Sequence, residues 1–316
     1  MGAMTPALPS APCPDAPTLA QSRLYRDLLA GWGRETQVIT LGEAGEAQAV
    51  LRRFGPLRLA LVPGGPLWAD GNPRITALDG LARAVGATAL LVNCSTEAES
   101  AALRAVGFLP VLSGGYEARI DLTPDEAVRR AGLKGKWRNR LVRAEAAGLR
   151  VAQMAFSEAR HGWLIEAERA RRRQRRYRGL PPEFAVLAGG AATVFEARHK
   201  GHVIAAMVFL RHGKAASYFI GVSGAEGRVL GAHTLLLWQA GKAFSAEGLR
   251  RLDLGPVDSE SAPGLARFKL GAGAVAVRRG ETCLWSPVTA PLAGLAGRVS
   301  SRAVRGFPAQ TGRSCR

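Results

Sequence analysis

The sequence predicts an α/β protein made of two similar halves, each a mixed central sheet flanked by helices. Residues 216–273 contain, in order, a strand, a glycine-rich loop, a helix, a strand, a loop and a helix. The same order recurs at residues 58–108, and Gly64 lies 157 residues before Gly221. A chain of 316 residues has room for two ordinary domains. We therefore expect one α/β unit to be present twice, rather than a solenoid.

Composition argues against several classes of protein. No apolar run approaches the roughly 18 to 20 residues that span a bilayer, and the N-terminus lacks the cationic start and apolar core of a secretory signal. The four cysteines show no metal or disulfide spacing: Cys13, Cys94, Cys283 and Cys315. We expect a cytoplasmic, reduced protein with no metal site and no tightly bound cofactor.

Positive charge is concentrated in the middle of the chain. Residues 126–180 hold 16 Lys and Arg against 5 Asp and Glu, whereas residues 1–125 hold 10 against 12. Such a basic region indicates a polyanionic partner, which is RNA, a phosphate-bearing ligand or an anionic membrane surface. The alternative is a solvated basic face that reflects an arginine-rich composition.

In the first half, the proline- and alanine-rich residues 1–19 predict a disordered tail, and residues 20–125 a first domain. Residues 20–54 are interpreted as one or two helices around a strand. The later segments follow hydrophobic periodicity, as strands at 58–62, 89–92, 108–112 and 116–122 and helices at 75–85 and 96–106.

The second half begins with residues 126–150, predicted to be a basic helical linker that Thr123, Pro124 and Glu126 start as a capping box. Residues 151–286 form the second predicted domain, and residues 287–316 a basic, poorly ordered tail. This domain holds an arginine-rich helix at 158–180 and an antiparallel meander of strands at 194–198, 203–211 and 216–220.

Several blocks resemble the FemABX family of aminoacyl- and acyltransferases, within the GCN5-related N-acetyltransferase (GNAT) superfamily. They are VPGGPLW at 62–68, KWRNRLVRAEAAGLRV at 136–151, FIGVS at 219–223, LLLWQA at 235–240, GLRRLDLG at 248–255 and GLARFKLGAG at 264–273. The resemblance covers about residues 55–285 and implies two tandem GNAT-like domains. It also implies acyl transfer from an activated donor, aminoacyl-tRNA or acyl-CoA, to an amine on a peptidoglycan precursor or another peptide.

The resemblance further implies catalytic residues near the C-terminal end of the second domain. Lys269 matches a lysine that stabilises charge in the transition state, with Phe268 beside it, and an ammonium at a developing oxyanion suits this role. Asp253, at a strand end, is expected to orient Lys269 or the amine. Its alternative is to cap a turn.

The loop before the main helix is similar to the phosphate-binding loop of acetyl-CoA enzymes, and its candidate residues are Arg228, Gly231, Ala232 and His233. Backbone N–H groups at a helix N-terminus favour a phosphate. We expect the His233 side chain to crowd a pyrophosphate, which favours aminoacyl-tRNA over CoA. The alternative is an ordinary helix start.

Five residues are candidates for binding a substrate or a polyanion: Arg138, Arg173, Arg176, Tyr177 and Arg267. Tyr177 could stack on a base, although a lone tyrosine is more often packed. A different class of function also stays open at this point, a non-catalytic RNA- or membrane-binding protein on the same fold.

Overall fold

The computed structural model describes residues 16–177 and 179–288. The helices are α1 (Arg23–Gly31), α2 (Ile75–Leu78), α3 (Leu81–Val85), α4 (Glu97–Ala105), α5 (Glu126–Ala131), α6 (Gly135–Ala146), α7 (Glu158–Arg175), α8 (Phe184–Leu187), α9 (Ala225–Val229), α10 (Ala232–Ala246) and α11 (Pro263–Gly271). The strands are β1 (Glu35–Thr40), β2 (Gly45–Phe54), β3 (Leu57–Val62), β4 (Leu67–Trp68), β5 (Ala89–Asn93), β6 (Leu109–Leu112), β7 (Tyr116–Asp121), β8 (Arg150–Ala155), β9 (Ala192–His199), β10 (His202–His212), β11 (Ala215–Ser223), β12 (Arg251–Val257), β13 (Val275–Arg278) and β14 (Thr282–Trp285). No helix within these ranges is both long enough and apolar enough to span a membrane.

Two mixed sheets form the architecture, as the sequence predicts. The first has the order β1-β2-β3-β5-β14-β6, with β4 paired to β2, and the second has the order β13-β7-β12-β11-β10-β9-β8. Each contains one parallel pair, β3 with β5 and β11 with β12. The predicted meander is confirmed as β9, β10 and β11 in antiparallel order.

The two halves exchange one strand each. β7 ends the first half but pairs with β12 and β13, whereas β14 ends the second half and pairs with β5 and β6. Each exchanged strand occupies the same place in its sheet, between the second strand of the parallel pair and the edge strand. The sheets therefore do not follow the predicted domain boundaries.

Three apolar cores hold these layers. One lies between the first sheet and α2, α3 and α4, and includes Trp68, Leu90 and Phe108. The second sheet is covered on both faces, by α6 and α10 on one face and by α7, α8 and α1 on the other. The segment predicted as a linker forms α5 and α6, and Trp137 and Leu141 of α6 are buried in the second half's core.

Local structure differs from the prediction in several places. Residues 45–54 fall in the segment interpreted as one or two helices around a strand, but they form β2, because alternate residues from Ala47 to Leu51 enter the first core. The predicted helix at 75–85 is broken between Leu78 and Leu81. The capping box was wrong, since Asp125 is the N-cap of α5 and Thr123 instead bonds to Asp121.

The ends of the chain also differ from the prediction. Residues 1–15 and 289–316 lie outside the described residues, but the end of the predicted N-terminal tail is packed. Ala16 is buried, and the Arg251 guanidinium donates hydrogen bonds to the carbonyls of Ala16 (2.6 Å) and Pro17 (2.7 Å). Helix α7 ends at Arg175, five residues before the predicted end, and Arg176 adopts a left-handed conformation.

Candidate active site

Divergence of the two parallel strands of the second sheet opens a cavity. β11 and β12 pair only from Ala215 to Ser217 and from Arg251 to Asp253, although β11 continues to Ser223 and β12 to Val257. The register of β10 with β11 shifts just beyond this point, which is typical of a β-bulge. A cavity of about 360 Å³ lies where the strands separate, at the carboxyl ends of strands where α/β folds place ligands.

The cavity brings together five of the predicted site residues: Arg228, Gly231, His233, Phe268 and Lys269. They come from α9, the start of α10 and the last turn of α11. The remaining lining residues include Arg140 of α6 and Tyr218 of β11. Ala232 is fully buried directly behind Gly231.

Lys269 is the buried cation of the site. Lys269 is only 5% exposed, and its ammonium donates a hydrogen bond of 2.7 Å to the Pro256 carbonyl. Burial lowers the Lys269 pKa to about 8, against a weaker opposing effect of the Glu117 carboxylate. At neutral pH the ammonium is therefore still mostly protonated and has N–H groups left for a ligand.

Packing of α11 on α6 fixes the position of Lys269. The Phe268 and Trp137 rings lie 6.2 Å apart between centroids. Three residues after Phe268, a Cβ at Gly271 would lie 2.8 Å from the Trp137 ring. Only glycine permits so close an approach, so α11 cannot shift along α6 without a clash.

The start of α10 is shaped to receive an anion. Gly231 has a φ of 69°, and a Cβ there would lie 3.2 Å from Arg140 and 3.4 Å from Ala144. The backbone N–H groups of Ala232 and His233 make no hydrogen bond within the described residues. Together with the dipole of this 15-residue helix, they favour a phosphate.

His233 does not project freely over this helix start. Its Nε2–H donates a hydrogen bond of 3.0 Å to the Val222 carbonyl. Burial lowers the His233 pKa, and the bond to the Val222 carbonyl opposes this effect in part. The bond holds the ring at the end of β11, so this side chain does not by itself argue against a pyrophosphate.

Asp253 lies outside the cavity lining, and its predicted contact with Lys269 is not made within the described residues. Its carboxylate accepts hydrogen bonds from Arg251 at 2.8 and 3.1 Å and lies 3.6 Å from the Arg119 guanidinium. These contacts make it part of a buried ion cluster that also holds the Ala16 and Pro17 backbone. The sequence placed Asp253 at a strand end, but β12 continues to Val257, so Asp253 lies inside the strand. Sequence spacing also could not show which face of the sheet it occupies.

The five polyanion candidates do not line the cavity. Tyr177 is packed rather than free, since its hydroxyl donates to Glu168 at 2.6 Å and the Arg172 guanidinium lies 5.8 Å from its ring centroid. Arg173 and Arg176 are exposed and make no ion pair within the described part of the chain. Arg138 donates to the Leu133 carbonyl at 3.2 Å, and Arg267 is exposed on α11.

Sequence reasoning missed four polar residues of the cavity: Arg140, Tyr218, Ser223 and Thr234. Burial raises the Tyr218 pKa to about 12, so the phenol keeps its proton. Arg140 lies in the same basic block as Arg138, and helical periodicity could have separated the two, because residues two apart point to different sides of a helix.

Comparison with known proteins agrees with this geometry. Residues 125–270 match the acetyltransferase (GNAT) domain family. No curated protein sequence matches the chain.

Three solved structures share the fold at 15% identity each. FemX has a TM-score of 0.73 and the match covers 90% of this chain and 95% of FemX. A DUF2156 domain assigned to a lysylphosphatidylglycerol synthetase of Agrobacterium fabrum has a TM-score of 0.55, covering 92% and 96%. L-PGS from Bacillus licheniformis has a TM-score of 0.51, covering 93% and 98%. Residues 125–270 therefore match the acetyltransferase (GNAT) domain family, and the chain has the FemX-like fold that the sequence predicts.

Proposed function

We propose that this protein transfers an acyl or aminoacyl group from a phosphate-bearing donor to an amine. One observation carries the proposal: a single cavity joins the unpaired N–H groups at the start of α10 to the buried Lys269 ammonium. The first can hold a donor phosphate, and the second can hold the reacting carbonyl oxygen.

The chemistry needs no covalent enzyme intermediate. The amine nitrogen attacks the donor carbonyl carbon, and the π electrons move to the oxygen, where the Lys269 ammonium offsets the negative charge. The oxyanion then reforms the carbonyl and breaks the C–O bond of an ester donor or the C–S bond of a thioester. The leaving oxygen or sulfur receives the proton that the amine nitrogen loses.

Two donors fit, and each is supported by a different feature. Aminoacyl-tRNA is supported by the basic residues 126–180 and the exposed arginines at the end of α7. Acyl-CoA is supported by Arg228 and Gly231 at the start of α10. We favour the aminoacyl donor, because a nucleic acid accounts for the wide distribution of positive charge as well as for the phosphate site.

The acceptor follows from the FemABX resemblance, as an amine on a peptidoglycan precursor or another peptide in the cytoplasm. Lysylphosphatidylglycerol synthetase, by its name, joins lysine to a lipid with a glycerol head group, so a lipid hydroxyl at a membrane surface is the alternative acceptor. No donor is expected to stay tightly bound after turnover.

Titration with acetyl-CoA, charged tRNA and uncharged tRNA across a salt series tests the proposal. Preference for charged tRNA that survives added salt supports aminoacyl transfer, and micromolar binding of acetyl-CoA supports the thioester donor. Binding that ignores charging and is lost with salt indicates a non-catalytic basic surface.

Lys269→Met separates an enzyme from a binding protein. The change removes the ammonium but keeps most of the volume, so we expect donor affinity within about threefold and turnover lower by about 10² to 10³. Unchanged turnover in Lys269→Met would exclude the role proposed for this lysine.

A further inference from the structure

The charged side chains that line the cavity all have the same sign. They are Arg140, Arg228 and Lys269, and neither aspartate nor glutamate is among the described lining residues. The rest of the wall is largely apolar, with Met207, Leu237 and Leu254 from three different elements. A ligand group here meets hydrocarbon, neutral polar groups or cations, but no carboxylate of the described lining.

Nearby carboxylates are already paired. Glu117, which lies close enough to Lys269 to affect its pKa, bonds to Arg279 at 3.0 Å and to Arg119 at 3.3 Å. Glu168 accepts hydrogen bonds from Arg172, Arg171 and Tyr177. Neither carboxylate can neutralise a cation in the cavity without giving up these partners.

We infer that the transferred group has an apolar side chain and that the cavity rejects lysyl, arginyl and other cationic acyl groups. This inference rests on the proposed function and specifies its substrate class. An ammonium placed beside the buried Lys269 without a counter-ion is costly, and the exposed Arg140 and Arg228 add a weaker, solvent-screened repulsion. The hydroxyls of Ser223, Tyr218 and Thr234 can accept a hydrogen bond but supply no negative charge.

The α-amino group of an aminoacyl donor does not alter the expected preference for an apolar over a cationic side chain. Every aminoacyl donor carries that group next to the reacting carbonyl, so its contribution cancels between two donors that differ only in the side chain. Norleucyl and lysyl groups form such a pair, because they have the same carbon chain and only lysine has the terminal ammonium.

The test uses two matched pairs of donors on the full chain. One tRNA is charged with norleucine or with lysine, and hexanoyl-CoA is compared with its ω-amino derivative. In the donor class that binds, we expect the apolar member to bind at least a hundredfold more tightly. Affinities within threefold would overturn the inference while the donor site stands. Failure of both classes to bind would remove the proposed donor site, and this inference with it.

Substitutions in the cavity wall give an independent test. Leu237→Glu places a carboxylate in the wall, and we expect it to narrow or reverse the preference, with at least a tenfold gain for the lysyl or ω-amino donor. Leu237→Gln has nearly the same shape without the charge and should not produce that gain. If neither substitution changes the ratio, with both variants folded by circular dichroism, the cavity does not receive the acyl side chain.

Discussion

Burial determines the behaviour of Lys269 at the scale of the single residue. Its pKa falls from 10.5 to about 8 because the surrounding apolar wall disfavours the charged form more than Glu117 favours it. The ammonium is consequently present at neutral pH and lost as pH rises through about 8. A lysine with the ordinary pKa of 10.5 would keep its charge to a pH about two units higher.

We therefore expect turnover to fall as pH rises above about 8, by up to tenfold per pH unit. The measurement is the pH dependence of turnover with saturating donor. Lys269→Arg is the control, because a guanidinium keeps its charge throughout this range. Its rate should be lower but free of this high-pH decrease. The same decrease in Lys269→Arg would assign it to another group.

Position 65 requires a glycine because of a neighbouring side chain. A Cβ at Gly65 would lie within van der Waals overlap of both Glu99 carboxylate oxygens, and its φ is 70°. Glu99 is buried and accepts hydrogen bonds from the Trp68 indole at 2.8 Å and the Ser95 backbone at 2.6 Å. The carboxylate thus cannot move aside without losing partners.

We expect Gly65→Ala to lower the free energy of unfolding by about 2 to 4 kcal/mol, from backbone strain and steric overlap together. Gly55→Ala is the matched control, since Gly55 has a φ of 58° but no atom near the added Cβ. It should cost about 1 to 2 kcal/mol. Chemical denaturation measures both. Equal losses of unfolding free energy in the two variants would show that backbone strain alone accounts for the effect at Gly65.

At the scale of the element, α10 has a glycine in the left-handed region at each end. Gly231 precedes the helix with a φ of 69°, and Gly248 follows it with a φ of 81°. A Cβ at Gly231 would press on Arg140 and Ala144 of α6, whereas one at Gly248 would meet open space. The two ends are thus comparable in strain but differ in their contact with the cavity.

Gly231→Ala should weaken donor binding by about tenfold or more, because the first turn of α10 must move away from α6 and re-aim its free N–H groups. Gly248→Ala should reduce stability without changing donor affinity. Calorimetric titration of the better-binding donor measures both. Equal losses of affinity would mean that the position of the α10 start is not what binds the donor.

At the scale of the whole molecule, the charge distribution and the exchange of strands matter most. Positive charge is concentrated in the second half, and the end of α7 exposes Arg173, Arg175 and Arg176. Arg171, in the same helix, donates a hydrogen bond of 2.7 Å to the Gly221 carbonyl in β11. The basic end of α7 is therefore attached to the strand that forms one wall of the cavity.

Replacing Arg173 and Arg176 together by alanine should weaken tRNA binding. It should also reduce the magnitude of the slope of log K against log salt concentration by about 1 to 2. Exposed Arg34 and Arg52, replaced together, are the control in the acidic half. They should leave both quantities nearly unchanged. Filter binding across a salt series is the measurement. If the two double variants behave alike, binding depends on net charge rather than on this face.

Ending the chain at Gly280 should unfold the first half, because β14 would be missing between β5 and β6 and Cys283 would leave the first core. A chain ending at Val288 keeps β14 and is the reference. We expect the shorter chain to lose its cooperative thermal transition or to melt more than 10 °C lower, since several buried contacts disappear at once. Similar melting of the two chains would show that the exchanged strand contributes little.

Hydrophobic periodicity and the glycines between segments were sufficient to predict the α/β class, the two related halves and most helices and strands of the second half. These are local signals, because side-chain spacing along one segment decides whether it suits a helix or a strand. Sequence blocks also predicted Arg228, Gly231, His233, Phe268 and Lys269, and the cavity brings these five together.

Only the tertiary structure decided the rest. The exchange of β7 and β14 depends on pairing between strands far apart in sequence, which local patterns do not encode. The face on which Asp253 lies, the bond that holds His233 and the packing of Tyr177 are likewise set by neighbours from other elements. The sequence by itself determined the local elements and the chemistry of the site residues, whereas long-range packing determined which of them meet and with what pKa.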